Sequence, residues 1–583
     1  MPRKYALYLT YALSICVIDA LAVTKNPATE KVEVGQAEPF CNSGVPPEWR
    51  DAQVLEGVTI DESRVCNPDS PAEIAAFVKG TNNVSMQTLM DTNLAADALT
   101  MSNDMDGDGD PDHIIIRLEV IELNGHSPDF PGVVPTFDIA PGIQPSFWVF
   151  TPKTRDMSTK SFASAEANSL LRLPAPAIRV EQGDVVWIVV ENTHYFPHSI
   201  HLHGVDHPYM DHSGEGNDGV GQTSQMDIMP GQSKTYVIKP RQAGTMYYHC
   251  HVQPHTHIPM GLAGLFIIEE NRPNNWVQTF NVGDGQVRHP SVAVKQKYSK
   301  EYDLHFQSID KDLHKLPQLA NDPRLIARAM NQEYDITDAT DDYFVLNGRA
   351  FPYTLRESLV VVQPNERVKL RVLNGHTDPM ALHIHGHKAT ETHYDGVEQS
   401  PSARVTRDVY SLAPAQRLDL ELNTTDDGLH SFGQGLWMFH DHTERAFTTD
   451  GMGEGGSISL IAYRDYLDDK GTPKTHGMDL TPYFTKAYWQ RKLPVWQNWA
   501  DDWGSLGSPA ISNTPQPTSA PVADKSAMGA SSSEQQGDAQ GSGGFGSLLV
   551  GLLLGSSGYF GFINRNTLGR WLGSVLGRGR SQS

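Results

Sequence analysis

Two segments of this chain are copies of one another, and this repeat constrains the fold more than any other feature. VEQGDVVWIVVENTHYFPHSIHLHG spans residues 180–204 and VQPNERVKLRVLNGHTDPMALHIHG spans residues 362–386, so the two align without a gap at an offset of 182. Both contain alternating runs rich in β-branched residues that are interrupted by turn residues, which is typical of antiparallel strands. We therefore predict an all-β protein that contains two copies of one β domain.

Each copy carries two histidine motifs. An early H-x-H-G motif ends each aligned segment, and a late H-x-H motif follows in GTMYYHCH (244–251) and GLWMFHDH (435–442). The motifs contribute eight histidines: His201, His203, His249, His251, His383, His385, His440 and His442. Because both copies keep them, these histidines indicate a metal function that the two copies share.

A second set of potential ligands occurs only in the first copy. Cys250 is followed by His255 and Met260 at intervals of five residues, and His198 is the candidate for a second histidine. Two imidazoles, one thiolate and a weak axial thioether are the ligands of a blue-copper electron-transfer site. The equivalent positions of the second copy hold no such ligands: His198, Cys250 and His255 are replaced by Met380, Asp441 and Ala446. The chain therefore has one metal function in the first copy alone and another in both copies.

His249 and His251 flank Cys250 and connect the two predicted metal sites. On a β-strand successive side chains point to opposite faces and each residue rises about 3.3 Å. Both histidines would then project from the face opposite Cys250, about 6.6 Å apart. A copper ion on Cys250 and a metal group on the histidines would be joined by one residue of backbone, which suits electron transfer between them.

With these motifs the chain resembles the multicopper oxidases, specifically the two-domain type with blue copper in its first cupredoxin domain. The resemblance rests on H-x-x-H-x-H-G and H-C-H-x3-H-x4-M and covers roughly residues 113–465. It implies two cupredoxin-like Greek-key β-sandwich domains, at 113–270 and 341–465, joined by a connecting segment at 271–340. It also implies four copper ions per chain, one of type 1 and three in a trinuclear type 2/type 3 cluster.

The resemblance assigns ligands to each copper site. Type 1 copper would be bound by four residues: His198, Cys250, His255 and, as the axial ligand, Met260. The trinuclear cluster would take all eight paired histidines, with His201 and His383 as the type 2 ligands. Two-domain relatives are homotrimers in which the cluster lies between subunits, and this arrangement is expected here. The length of the connecting segment leaves a cluster within one chain open.

The implied activity is one-electron oxidation of a reducing substrate, a phenol or a metal ion such as Cu(I), Mn(II) or Fe(II), coupled to reduction of dioxygen to water. Electrons would enter near His255 and pass through Cys250 to the cluster. Asp441, between two predicted cluster ligands, would either pass protons to reduced oxygen or orient a neighbouring imidazole. Two alternatives stay open: a copper-containing nitrite reductase, and a non-enzymatic copper-binding or electron-transfer protein.

The N-terminal region indicates export to the periplasm or cell surface. Residues 1–22 combine a basic start, an apolar run and a small-residue cleavage motif, so we predict a signal peptide, with an uncleaved anchor as the alternative. Residues 23–112 form an N-terminal extension in which Cys41 and Cys66 are a plausible disulfide for an oxidising compartment. The formal net charge of −23 makes nucleic acid an unsuitable partner.

The C-terminal region indicates a membrane tether. Residues 466–544 are a tail that ends in a Ser/Gly/Pro-rich linker, and residues 545–563 form an uncharged run of 19 residues. About 20 apolar residues span a bilayer as a helix. Residues 564–583 contain arginines but no acidic residue, so they are predicted to be cytoplasmic. The alternative is a tail that is only amphipathic or adhesive.

An acidic loop, DMDGDGDPDHII, occupies residues 104–115. Alternating acids around glycine are typical of calcium-binding loops, although Ile115 stands where an EF-hand needs Glu. The predicted calcium ligands are Asp104, Asp106, Asp108 and Asp112. An acidic surface turn without metal is the alternative.

Overall fold

The computed structural model describes residues 95, 97–107, 111–125, 136–154, 171–271, 278–281, 286–288, 298–320, 322–476 and 479–491, and short strands between residues 49 and 79. The predicted signal peptide, the Cys41–Cys66 pair, the linker from residue 492, the apolar run 545–563 and the basic tail all lie outside these residues. None of the helices within the described residues is long and apolar enough to cross a membrane.

Five short strands lie in the predicted N-terminal extension: β1 (Trp49–Arg50), β2 (Gln53–Leu55), β3 (Val58–Ile60), β4 (Ser63–Arg64) and β5 (Val78–Lys79). β1 pairs with β4 and β2 pairs with β3, both in antiparallel fashion.

The first β-sandwich is built from two sheets. One sheet contains β6 (Leu99–Ser102), β7 (His113–Leu123), β8 (Phe147–Pro152), β10 (Val185–Glu191) and β12 (Ser233–Ile238). The other contains β9 (Ala177–Glu181), β11 (His201–His203), β13 (Gly244–His249), β14 (Ala263–Glu269) and β15 (Gln278–Asn281), with β5 at its edge. A helical turn, α1 (Pro254–His257), connects β13 to β14. Because β6 pairs with β7, the sandwich begins before residue 113, inside the predicted N-terminal extension.

The alternation in β10 explains how this sandwich forms its core. In the sequence VVWIVVE, Val186, Ile188 and Val190 are fully buried, whereas the residues at both ends are partly exposed. A strand with one apolar face buries that face against a second sheet. These side chains join one hydrophobic cluster with Tyr248 and Cys250 of the opposite sheet.

The second β-sandwich repeats this arrangement. One sheet contains β16 (Gln286–Arg288), β17 (Lys300–Ile309), β18 (Tyr343–Leu346), β20 (Arg367–Asn374), β22 (Ala389–Tyr394), β23 (Val397–Glu398), β24 (Thr406–Arg407) and β26 (Arg417–Asn423). The other contains β19 (Val360–Val362), β21 (Met380–Ile384), β25 (Val409–Leu412), β27 (Leu436–Asp441) and β28 (Ser459–Tyr463). β7 runs parallel to β10, as β17 does to β20, and β9 runs parallel to β14, as β19 does to β28. The structure is mostly β, which confirms the β character of the predicted all-β fold, and the strand pairing repeats as predicted.

The predicted connecting segment 271–340 is more ordered than a linker. It supplies strands to both sandwiches and then forms α2 (Lys311–Leu319), α3 (Pro323–Arg328), a π-helical turn (Ala329–Glu333) and a 3-10 turn (Ile336–Asp338). The carboxylates of Asp310 and Asp322 cap the two α-helices by accepting hydrogen bonds from backbone N–H groups. Leu313, Ile326 and Met330 pack into the core of the first sandwich. These helices therefore cover the domain that contains Cys250.

A further hydrophobic cluster joins the two sandwiches. It combines Phe147 and Val149 of the first with Val345 and Val361 of the second. The cluster includes residues of α4 (Thr354–Glu357), α5 (Lys486–Trp489) and a 3-10 turn at Thr481–Phe484. Two further 3-10 turns lie at Glu444–Phe447 and Arg464–Tyr466. The cluster also includes residues of the predicted tail: Leu467, Leu480, Tyr483, Tyr488 and Trp489. The first part of the tail is thus a structural component of the molecule.

Candidate copper centres

The predicted type 1 site is a buried group of one thiol and two imidazoles. The ligand atoms of His198, Cys250 and His257 all lie within 4.8 Å of one another. The Cys250 Sγ atom is 3.7 Å from His198 Nδ1 and 3.4 Å from His257 Nδ1. Met260 is fully buried in the same hydrophobic cluster as Cys250. The loop between β13 and β14 therefore brings nitrogen and sulfur donors together inside the sandwich.

The structure does not bring His255 into this group, which corrects the predicted ligand set. His255 is exposed, whereas His257 is 3% exposed and faces Cys250. Both lie in α1, and residues two apart on a helix point to nearly opposite sides because each residue turns the helix by about 100°. Gln253, with a φ of 44°, and Pro254 start this turn, and they set which of the two histidines faces inward.

The first half of the predicted cluster lies on two paired strands. β11 and β13 are antiparallel, and their register places His201 opposite His249. His201, His203 and His249 form one potential ligand group, with a His203 Nε2 to His249 Nε2 distance of 2.8 Å. The His251 ring centroid lies 5.3 Å from that of His201. The four histidines predicted for the first domain are therefore brought together on the face of β13 opposite Cys250.

The second half repeats this geometry. The register of β21 and β27 places His383 opposite His440. His383, His385 and His440 form one potential ligand group, and the His442 ring centroid lies 5.5 Å from that of His383. The second domain thus presents four histidines in the same arrangement, as the repeat predicted.

Backbone carbonyls fix the orientation of one imidazole on each strand. His249 Nδ1 is 2.8 Å from the Cys250 carbonyl oxygen, and His440 Nδ1 is 2.9 Å from that of Asp441. A carbonyl only accepts hydrogen bonds, so Nδ1 carries the proton and Nε2 keeps its lone pair. The lone pairs on Nε2 point into the histidine groups and are available to a metal ion.

Both histidine groups lie in segments whose sequence matches a known protein family. The sequence model of the family described as multicopper oxidase matches residues 167–273, and a second model with the same description matches residues 326–454. These two matches cover both histidine groups and the Cys250 group. Each β-sandwich therefore contains a segment that matches the multicopper oxidase family.

Several individual proteins are similar to this chain. Copper resistance protein A of Escherichia coli is 26% identical over 49% of this chain and 47% of its own length. Laccase-18 of Oryza sativa subsp. japonica is 27% identical over 43% of this chain and 37% of its own length. A solved multicopper oxidase, mgLAC, aligns with a TM-score of 0.44 and 24% identity over 64% of this chain and 94% of its own. The chain spans about half the length of the curated relatives it matches.

Burial shifts the pKa values of the candidate metal ligands. Desolvation lowers the pKa of His203 and His440 to about 4 and the pKa of His249 and His257 to about 3. These imidazoles are therefore neutral at neutral pH, which is the form that binds metals. Burial raises the pKa of Cys250 to about 12, so its thiolate requires a bound cation.

The donor atoms of both kinds of site fit copper. A buried thiol between two imidazoles, with a thioether nearby, supplies the soft donors of a type 1 site. Imidazole nitrogens alone suit copper in either oxidation state. The cofactor of the multicopper oxidase family therefore matches the residues that this chain brings together.

Asp441 faces the interior of the second sandwich. Its Oδ1 atom accepts hydrogen bonds from the backbone N–H groups of Ala381 and Thr443 and from the Thr443 hydroxyl, each at 3.0 Å. Its Oδ2 atom lies 3.6 Å from His376 Nδ1. Asp441 occupies the position of Cys250, so its side chain projects away from the faces of His440 and His442. These contacts anchor β21 to β27, and a catalytic role for Asp441 stays a prediction.

The predicted calcium ligands are partly brought together. Carboxylate oxygens of Asp104, Asp106 and Asp112 lie within 4.8 Å of one another, while Asp108 is outside the described residues. Asp112 accepts hydrogen bonds from the backbone of Met105 and Asp106, as in an acidic turn that stabilises itself. Calcium binding stays a prediction.

Sequence reasoning missed two residues that contact predicted copper ligands. The Asp218 carbonyl oxygen accepts a hydrogen bond from His201 Nδ1 at 2.8 Å, and the Asp218 side chain is 3.0 Å from His207 Nε2. His194 Nδ1 is 2.9 Å from His198 Nε2. His194 recurs in the repeat as His376, and this recurrence was the signal in the sequence that pointed to it.

Proposed function

We propose that this chain is a copper-dependent oxidase that couples one-electron oxidation of a reducing substrate to four-electron reduction of dioxygen to water. One observation carries the proposal: the Cys250 group and a four-histidine group lie on opposite faces of one strand and share adjacent residues. Copper bound at these groups would accept single electrons at Cys250 and reduce dioxygen at the histidines. The chain itself holds the two groups at a fixed separation and excludes water from the thiol.

The covalent connection is reinforced by a hydrogen bond. His249 directly precedes Cys250 in the chain. Its Nδ1–H group donates a hydrogen bond to the Cys250 carbonyl oxygen at 2.8 Å. An electron that reaches the Cys250 sulfur therefore has a short path through backbone and hydrogen bond to an imidazole of the histidine group. This path exists only in the first domain, because the second has Asp441 in place of the cysteine.

The proposed substrates are phenols or metal ions such as Cu(I), Mn(II) or Fe(II). The relatives described as a laccase and as a copper resistance protein support both classes. We further propose that the protein is exported to the periplasm or cell surface and tethered by its C-terminal segment, on the sequence signals alone.

The proposed cluster is completed between subunits of a homotrimer. Among the described residues, the ring contacts and ligand groups join histidines within one domain and do not link the two domains. Each half is open to solvent: the side chains of His201 and His383 are 22% and 21% exposed, and that of His442 is 51% exposed. A cluster that reduces dioxygen without releasing intermediates has to be covered, so another surface must close each half.

Exposed apolar side chains next to His383 and in the loop that contacts His201 support such a contact. Val409 lies opposite His383 in the strand register and is exposed. The loop between β11 and β12, which provides Asp218, carries four exposed apolar residues: Tyr209, Met210, Met226 and Met229. Contiguous exposed apolar surface marks protein contacts, and two complementary surfaces on one chain close into a ring.

Complementation between inactive variants tests the shared cluster. His201→Ala disables the first-domain half and His383→Ala disables the second-domain half, so neither variant alone consumes oxygen. When the two are co-expressed, an intact first domain meets an intact second domain at roughly a quarter of the interfaces, and oxygen consumption returns to about that fraction of the wild-type rate. Absence of any recovery in mixed trimers would place the cluster within one chain.

The choice of electron acceptor tests the reaction itself. Copper-loaded protein with a phenol should consume four electrons per dioxygen and should not reduce nitrite. Nitrite reduction without oxygen consumption would identify the reductase alternative, and copper binding without either would identify the electron-transfer alternative.

A further inference from the structure

A hydrogen-bonded group that begins at a type 1 ligand extends towards the surface of the first domain. His198 directs Nδ1 at the Cys250 sulfur, 3.7 Å away, so its Nε2 carries the proton. That Nε2 atom donates to His194 Nδ1 at 2.9 Å. His194 therefore presents its own Nε2–H group outward, towards Glu122 Oε2 at 3.8 Å.

Glu122 is the hub of the outer part of this group. Its Oε2 atom accepts hydrogen bonds from the indole N–H of Trp148, at 2.9 Å, and from the hydroxyl of Tyr195. The Tyr195 ring also lies directly on the His194 ring, with the centroids 3.9 Å apart. Tyr195 is thus connected to His198 through one imidazole: a ring contact joins Tyr195 to His194, and a hydrogen bond joins His194 to His198.

Solvent exposure increases along this group. His198 is fully buried, His194 is nearly so, the Glu122 side chain is 16% exposed and Tyr195 is half-buried. The other imidazole ligand, His257, is buried beneath the Trp148 ring, with the centroids 5.2 Å apart. A reductant cannot touch either imidazole of the type 1 group, but it can reach Tyr195 and Glu122.

The second domain provides an internal comparison. The strand register pairs Glu122 with Trp148 in the first domain, and Ser308 with Phe344 at the equivalent place in the second. The equivalents of Glu122, Trp148 and Tyr195 are Ser308, Phe344 and Thr377. The domain without Cys250 therefore lacks the carboxylate, the indole and the tyrosine, although it keeps the histidine as His376. The outer group accompanies the type 1 ligands and is not a general property of the fold.

We propose that Tyr195 is the residue through which electrons from phenolic reductants enter the protein. The donor contacts the half-buried Tyr195 ring beside the Glu122 carboxylate, and the electron passes through Tyr195 and His194 to His198. One electron leaves the phenol and reduces type 1 Cu(II) to Cu(I), the hydroxyl proton leaves to water, and a phenoxyl radical remains. This inference rests on the proposed function, because it requires copper at the Cys250 group.

His255 is the competing entry point and was the one predicted from the sequence. It is exposed and close in sequence to His257, but the α1 turn directs it away from Cys250. An electron from His255 would have to cross the backbone of the turn to reach His257. The Tyr195 path needs only one ring contact and one hydrogen bond, so it provides the stronger coupling.

The test measures how fast 2,6-dimethoxyphenol removes the blue absorption of copper-loaded protein under argon in a stopped-flow instrument. Tyr195→Leu should slow this step by about tenfold or more, the range seen when residues that contact metal ligands are altered, while the blue band and the type 1 reduction potential stay unchanged. Tyr195→Phe keeps the ring and should remain within about threefold of the wild-type rate.

Tyr334→Leu is the matched control. Tyr334 is also a half-buried tyrosine on the same hydrophobic cluster, and its hydroxyl donates to a carboxylate, Asp310 Oδ2, at 2.8 Å. Its replacement should leave the rate unchanged. Binding of the phenol to fully reduced protein, measured by calorimetry where oxidation is impossible, should weaken about threefold in Tyr195→Leu and not in Tyr334→Leu.

The outcomes separate this inference from the function on which it rests. Wild-type protein that is not blue, or that the phenol does not bleach, would overturn the proposed function. A bleaching wild type with unchanged Tyr195→Leu, or one slowed instead by His255→Ala, would overturn the Tyr195 path alone. Loss of the blue band in both Tyr195 variants would do the same, since the residue would then only hold the site together.

Discussion

At the scale of residues, His257 and His255 differ only in the side of one helical turn that each occupies. His257 is buried with its Nδ1 atom 3.4 Å from the Cys250 sulfur, whereas His255 is exposed. We expect His257→Ala to abolish the blue absorption of copper-loaded protein, as Cys250→Ser should, and His255→Ala to retain it. Visible and EPR spectra of the three variants decide the assignment, and a blue His257→Ala protein with a colourless His255→Ala protein would reverse it.

A second prediction at this scale concerns Glu122. Its carboxylate is 3.8 Å from His194 Nε2, and His194 accepts the hydrogen bond from His198. Negative charge at the end of this chain increases the basicity of His198 and so stabilises Cu(II). Glu122→Gln should therefore shift the equilibrium between the type 1 site and ferrocyanide towards reduced copper by about threefold or more. An unchanged equilibrium would show that Glu122 does not act on the ligand.

Most of the predicted copper ligands are brought together in the structure, and the one that is not, His255, differs for a physical reason. Strand alternation placed His249 and His251 opposite Cys250, and the structure agrees because the period of a strand is two. The ligand after the cysteine lies in a turn that starts with Gln253 in a left-handed conformation, and the spacing of residues carries no information on that turn. His194 was missed because its role depends on a contact between side chains.

At the scale of elements, β21 and β27 present the second half of the proposed cluster, and Asp441 fastens them together. Its carboxylate accepts hydrogen bonds from the backbone N–H groups of Ala381 and Thr443. Asp441→Ala leaves both groups buried without an acceptor and should lower the free energy of unfolding by about 2 kcal/mol. Asp441→Asn keeps an oxygen acceptor and should cost much less, as measured by denaturant unfolding.

Oxygen consumption by the same two variants separates anchoring from catalysis at Asp441. If the carboxylate only anchors the strands, Asp441→Asn consumes oxygen at close to the wild-type rate. A stable Asp441→Asn protein that binds its full copper and yet fails to reduce dioxygen would instead support the proton-transfer role.

A prediction for His383 on β21 follows from its location in a different domain from the Cys250 group. His383 lies in the second domain, and the blue site lies in the first. His383→Ala should therefore stop oxygen consumption while the blue absorption persists and is still bleached by phenol under argon. Loss of the blue colour in this variant would show that the two sites are not separate.

The elements show where sequence patterns stop being informative. The repeat predicted paired strands in both domains, and these form because they bury apolar residues: β10 mainly on one face, and β20 along nearly its whole length. The helices between residues 311 and 333 were treated as a connecting segment, because their apolar residues make sense only when the first sandwich is present to receive them. The same holds for Tyr488 and Trp489 of the tail, which pack against both domains.

At the scale of the whole molecule, a buried ion-pair group holds the two sandwiches together. Glu357 of the second domain lies 2.6 Å from Arg172 of the first and 2.9 Å from Arg349. The two guanidinium groups outweigh burial and hold the pKa of Glu357 down at about 2. Glu357→Gln leaves two buried cations without their partner and should lower the free energy of unfolding by about 3 kcal/mol.

The pH dependence of this contribution has a definite direction. Because the pKa of Glu357 is lower in the folded protein than in the unfolded chain, its stabilisation is present above the ordinary pKa of 4.5 and is lost as the pH falls towards about 2. The wild type should thus lose stability over this interval more steeply than Glu357→Gln in denaturant titrations. The exposed pair of Arg328 and Glu333 is a control, and its removal should have no measurable effect.

Quaternary structure lies beyond what either the sequence pattern or one chain can provide. The exposure of His442 and of Val409, which pairs with His383, supports the proposal that a second subunit completes the cluster. The homotrimer itself was predicted from the resemblance to two-domain multicopper oxidases, and it stays a prediction.

The most direct measurement of the central claim is the number of copper ions per polypeptide in purified, copper-loaded protein, determined together with the blue absorption and oxygen consumption. We predict four copper ions per chain, one of which gives the blue absorption. The other three should no longer support oxygen consumption when His383 is replaced. One ion per chain, or two with no oxygen consumption from any donor, would contradict this prediction.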